Sequence, residues 1–249
     1  MRRVIIAGNW KMNGTIVETE NLIGALLAGE SENDKATVVV CPPFVSLSRA
    51  SELLNGTHIA WGGQDMSEHV KGAYTGEISA EMLLTVGATY VIVGHSERRQ
   101  YHAETDDLVN AKAKYALASG LIPIICVGEM LEEREADRTE EVVGTQVMGT
   151  LSGFSAADLS KIVIAYEPVW AIGTGKTATP EMAEAVHSFI RKKAAAVDAA
   201  AAEEIPILYG GSVKPDNAER LLAQPNIDGA LIGGASLKAD DFIAIIRAV

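Results

Sequence analysis

Eight short β-rich runs with helical segments between them constrain this chain's fold more than any other feature. They cover residues 4–9, 37–41, 59–64, 90–94, 122–127, 162–166, 207–209 and 229–232. Most are continuously apolar and not alternating, which is how a parallel strand covered on both faces reads. Amphipathic or Ala-rich segments separate them, among them 108–119, 139–151, 180–202 and 238–248. Thr179, Pro180 and Glu181 give the order N-cap, proline at the first helical position, acid in the first turn. Eight strand–helix units in 249 residues predict a closed (β/α)8 barrel, with residues 1–249 as its one domain. A doubly wound open sheet is the alternative, and nucleotide chemistry would come with it.

Composition narrows the function classes. A hydrophobic fraction of 48% is ample for a core, and a net charge of -12 repels nucleic acid. Met1, Arg2 and Arg3 look like the basic start of a signal peptide, but Asn9, Lys11 and Asn13 break the apolar run that follows. No stretch is apolar for long enough to span a bilayer, so a soluble cytoplasmic protein is expected, with no membrane partner. Cys41 and Cys126 each end an apolar run, which predicts buried thiols with no disulfide and no metal. Asn13-Gly14-Thr15 and Asn55-Gly56-Thr57 match the glycosylation sequon and are read as turns.

In a barrel the chemistry lies at the C-terminal ends of the strands. The sixth run ends at Glu167, and Pro168 pushes that residue towards extended geometry on a rigid strand end. Val169, Trp170, Ala171 and Ile172 then form an apolar stretch closed by Gly173 and Gly175, the composition of a lid. A lone Glu is usually solvated; apolar neighbours on both sides favour a functional carboxylate here. After the first run, extended chain would turn Asn9 and Lys11 to one side and Trp10 to the other. His95 follows the fourth run and opens a helical segment, whose dipole disfavours the protonated ring. His58, His69, His102 and His187 are given structural roles. Gly210-Gly211-Ser212 and Gly233-Gly234 follow the last two runs, where exposed amides make a phosphate site. Gly173-Thr174-Gly175-Lys176 imitates part of a P-loop, but Trp170 stands where that motif requires glycine. The loose dinucleotide fingerprint there fails too, because Asp198 falls inside an Ala-rich helix.

Six stretches together carry a resemblance: 8–13, 72–77, 93–99, 165–176, 208–213 and 233–238. In this order they are similar to the triosephosphate isomerase family from end to end. The resemblance implies interconversion of dihydroxyacetone phosphate and D-glyceraldehyde 3-phosphate through an enediolate, in glycolysis and gluconeogenesis, with no cofactor and no metal. Carried over residue by residue, Glu167 is the base, His95 the neutral electrophile, and Lys11 the positive charge facing the substrate. Asn9 binds beside it and Glu97 supports. Amides at Gly173, Ser212, Gly233 and Gly234 hold the phosphate. The connection 64–78 is longer than a barrel loop needs. In the family it docks into a second subunit, which implies a homodimer with Thr75 near the neighbour's Asn9 and Lys11. The competing readings are another phosphate-binding barrel enzyme such as an epimerase or a lyase, a non-catalytic scaffold, and a nicotinamide-dependent oxidoreductase.

Overall fold

A computed structural model describes residues 2–29, 35–172 and 177–249. The eight strands close into a parallel barrel in sequence order: β1 Val4–Asn9, β2 Ala36–Cys41, β3 Ala60–Gly63, β4 Tyr90–Val93, β5 Ile122–Val127, β6 Val163–Tyr166, β7 Ile207–Tyr209 and β8 Gly229–Ile232. Closure is made by β1 against β8, with Ile5 opposite Gly229 and Gly8 opposite Ile232. The open-sheet alternative is thereby excluded.

Two buried layers explain why the strands are apolar throughout. Ile5, Ala7, Val39, Ile92, Ile124 and Leu208 point into the barrel. Their neighbours Ile6, Val38, Val40, Val91, Ile125 and Ile207 pack outwards under the helices. Each Val, Ile or Leu side chain among them that is removed from water contributes roughly 1.5–3 kcal/mol. Cys41 and Cys126 lie in the inner layer, fully buried and free.

Local chemistry sets the helix ends. Thr179 caps the helix Pro180–Ala194 by accepting the Met182 N–H, and Thr105 does the same for Asp106–Ser119 through Leu108. The predicted helical segment 180–202 is two helices, Pro180–Ala194 and Ala199–Glu204. Asp198 separates them: its side chain accepts the Ala201 N–H and starts the second helix, so it does not lie inside one. Asn55-Gly56 sits in a turn, whereas Asn13-Gly14 lies in irregular chain before the first helix; Gly14 and Gly56 adopt φ +102° and +81°. Among the described residues no helix is long and apolar enough to cross a membrane.

Candidate active site

At the C-terminal mouth of the barrel lies a cavity of about 750 Å³ lined by Asn9, Lys11, His95, Glu167, Ser212, Gly233 and Gly234 among others. Seven predicted site residues, from five strand ends, therefore share one space. Glu97 stands just outside it and holds Lys11, its Oε1 2.5 Å from Lys11 Nζ. Gly173 lies outside the described residues.

Glu167 follows β6 directly and is 2% exposed. Its Oε1 lies 2.9 Å from His95 Nε2, and its Oε2 accepts the Ser96 N–H at 2.9 Å. Ser96 Oγ donates a longer bond of 3.3 Å to Oε1. Burial works to raise the carboxyl's pKa, but the charge and hydrogen bond of His95, the Ser96 amide and Lys11 together hold it below the ordinary value. The carboxylate is thus ionised although almost fully buried.

Two glycines give that carboxylate its place. A Cβ on Gly128 would lie 1.7 Å from the Glu167 carbonyl oxygen, and one on Gly210 would lie 2.9 Å from Glu167 Cγ. Gln146 fastens Gly128 from the outside, accepting from its N–H at 2.7 Å and donating to its carbonyl at 3.0 Å. Neither Gly128 nor Gln146 stood out in the sequence, since the contact they serve is made only when β5 and β6 lie side by side.

His95 caps the short helix Ser96–His102, and its Nδ1 accepts the Glu97 N–H at 3.2 Å. An Nδ1 used as acceptor carries no proton, so the neutral ring bears its hydrogen on Nε2, towards Glu167. The sequence led us to expect that the helix start would disfavour the charged ring. Burial does lower its pKa, but the charge and hydrogen bond of Glu167 outweigh burial and the pKa is raised. That raising belongs to the carboxylate standing beside Nε2.

Lys11 is aimed by something other than strand alternation. It adopts φ +51°, a left-handed conformation that costs a non-glycine residue roughly 1–2 kcal/mol. The surroundings enforce it: the Lys11 N–H donates to Asn9 Oδ1 at 3.0 Å, and Gln64 Nε2 donates to the carbonyls of Lys11 at 2.8 Å and Cys41 at 2.9 Å. Gln64 and Ser96 are site residues that sequence reasoning missed. Ser96 had a signal, its place beside His95 at a helix start, and Gln64 had a weaker one, its place at the end of the third run.

The cavity is also lined by Gly211, Ser212, Gly233 and Gly234 and by two further cations, Lys214 and Lys238. Among the described residues no group of three or more His, Cys, Asp or Glu is arranged to hold a metal ion.

A parallel eight-stranded barrel whose mouth joins a buried ionised carboxylate, an imidazole with a fixed tautomer, an ammonium and glycine-rich strand ends is an acid–base enzyme of the (β/α)8 class. The family model for triosephosphate isomerase matches residues 4–249. The chain is 58% identical over 248 residues to a triosephosphate isomerase of Herminiimonas arsenicoxydans, covering 100% of both chains. It is 55% identical over 245 residues to that of Cupriavidus necator, covering 98% of this chain and 99% of the relative. With that of Herpetosiphon aurantiacus it shares 56% over 248 residues and 99% of each. The chain belongs to the triosephosphate isomerase family.

Proposed function

We propose that this chain interconverts dihydroxyacetone phosphate and D-glyceraldehyde 3-phosphate, with Glu167 moving the carbon-bound proton and His95 serving the oxygens. The observation that carries this reading is the Glu167–His95 pair, 2.9 Å apart on the wall of a cavity that also holds Lys11. A carbon acid beside a carbonyl is weak, so the step needs a positioned base and donors aimed where negative charge develops. Glu167 leaves Ser96 and His95, takes the proton from the carbon next to the carbonyl, and returns it to the neighbouring carbon. His95 Nε2–H donates to the carbonyl oxygen as it gains charge and gives it its proton, and the ring takes back the proton of the neighbouring hydroxyl, so the oxygen-bound proton crosses as the carbon-bound one does. Once the carboxylate has turned to the substrate, the main cause of the raised His95 pKa is gone and burial keeps the ring neutral. Lys11 adds positive charge, Asn9 fixes the loop that carries it, and Glu97 holds the ammonium in place. Amides at Ser212, Gly233 and Gly234 take the phosphate, and Gly173 is assigned with them on the resemblance alone.

A coupled assay of the wild-type chain and Glu167→Gln, with a metal chelator present, tests the reading. Turnover that falls at least a thousandfold in the variant and ignores the chelator is the expected result. Equal turnover in both would sink the assignment of the base.

The active unit is proposed to be a homodimer in the cytoplasm, each chain forming one unit over 1–249. Residues 71–77 of the long loop are all exposed, Tyr74 among them. Met12, Phe44, Val45 and Val70 are exposed apolar side chains, and beside Lys11 opens a recess of about 260 Å³ lined by Met12, Phe44, Gln64 and Arg98. Large apolar residues left in water on two loops and in the first turn of the helix Phe44–Leu54 suit a self-association surface. In this arrangement Thr75 enters the neighbour's recess near Lys11 and Asn9. Sedimentation velocity on the wild-type chain tests it, and a monomer at micromolar concentration would contradict it.

A further inference from the structure

Trp170 stands three residues after the base and is gripped from two sides. Its Nε1 donates to Glu129 Oε1 at 2.9 Å, and the guanidinium of Arg134 lies over the indole, 5.4 Å from the ring centroid. The two grips are joined, because Arg134 Nη1 is 3.6 Å from the same Glu129 oxygen. Glu129 is fully buried, and Oε1 also accepts from Tyr166 Oη at 3.1 Å and Thr139 Oγ1 at 3.4 Å. Its Oε2 has no hydrogen-bond partner among the described residues. The Glu129 main chain holds the same segment, since its carbonyl accepts the Val169 N–H at 3.1 Å. Both flanks of Glu167, Tyr166 before it and Val169–Trp170 after it, therefore hang on Glu129.

We propose that Arg134 is a positioning residue for the base, acting on Glu167 through Trp170 and Glu129. The link is short and stiff. Val169–Ala171 is a 3-10 turn closed by the Ala171 N–H on the Pro168 carbonyl at 2.7 Å, and proline in turn restricts the backbone of Glu167. A shift of the indole is passed to the carboxylate within a few bonds. Arg134 does two things that a smaller cation does not do together: its planar guanidinium covers the indole face, and it sets charge against a buried carboxylate. Without it Glu129 keeps its donors but loses this countercharge.

The inference rests on Glu167 as the base, so the test separates the two. Steady-state kinetics are measured on Arg134→Gln and Arg134→Lys, with substrate carrying hydrogen or deuterium at the transferred position, after thermal unfolding shows each variant to be folded. For Arg134→Gln the expected result is a kcat about tenfold lower, a KM within twofold, and a larger primary isotope effect as proton abstraction becomes limiting. Arg134→Lys, which keeps charge without the flat stack, is expected to lose about threefold. A kcat within twofold of wild type in a folded Arg134→Gln overturns the proposal, as does a loss carried by KM. If Arg134→Gln does not fold, an unchanged kcat and isotope effect in Arg134→Lys overturns it instead. Full activity of Glu167→Gln would sink the base assignment whatever Arg134 does.

Discussion

Glu167 Oε1 rests 2.9 Å from His95 Nε2 while its other oxygen holds the Ser96 amide, so the base is parked on donors, with the imidazole that would serve the substrate's oxygens as one of them. Each partner stabilises the charged or donating form of the other, and both must be released for the substrate. The following expectations turn on this pair and on the groups that hold it.

Replacing His95 by Gln removes the largest of the causes that keep the Glu167 carboxyl low, leaving the Ser96 amide and Lys11 alone against burial. The acid limb of kcat/KM is expected to move to higher pH, since a larger fraction of the base is protonated at any given pH. A Gln amide can donate but cannot pass a proton between the substrate oxygens as the imidazole does, so kcat also falls, by on the order of 10²–10³. A pH–rate profile checks both, and an acid limb that stays or moves to lower pH contradicts the argument.

Gly128 tolerates no side chain, because a Cβ there would meet the Glu167 carbonyl at 1.7 Å. Gly128→Ala is expected to force β5 and β6 apart at their ends, lowering kcat more than tenfold and the melting temperature by several degrees. Kinetics beside calorimetry decide it; wild-type behaviour in both would show that the strand ends yield freely.

His187 is fully buried, and burial holds its pKa down at about 3. Its folded pKa lies below the unfolded value near 6.5, so the unfolded chain binds the extra proton. The contribution to stability is complete above pH 6.5 and is lost as pH falls from there towards 3. Between pH 7 and pH 5 the loss is about 2 kcal/mol per chain. Denaturant unfolding of the wild-type chain and His187→Gln at both pH values isolates it: the variant is expected to lose less stability on acidification, by about that amount.

Ala103 ends the helix Ser96–His102 at φ +54°, ψ +34°, left-handed backbone without the glycine that usually takes it. Ala103→Gly removes the steric cost and gains roughly 0.5–1 kcal/mol, a rise of about 1–4 °C in melting temperature for a chain of this size. A fall in melting temperature would mean that the lost backbone entropy outweighs the relieved strain.

Much of this was legible in the chain itself, and the reason is local. A continuous run of β-branched residues marks a strand covered on both faces, Thr179-Pro180 marks a helix start, and Pro168 fixes the backbone of the residue before it. Such forces act over a few residues, so the barrel, the strand ends and the positions of Glu167, His95 and Lys11 could be read in order. Tertiary structure alone decided how those positions meet. Ser96 reaches Glu167 across 71 residues and Gln64 reaches Lys11 across 53, distances over which no propensity acts. Closure of β8 on β1 brings them together, and only then do burial and neighbouring charge set the Glu167 and His95 pKa values in opposite directions. The residue types needed for the chemistry are a property of the sequence. Their protonation states and the close approaches at Gly128 and Gly210 are properties of the closed barrel, because low dielectric and packing exist only once the chain has folded around them.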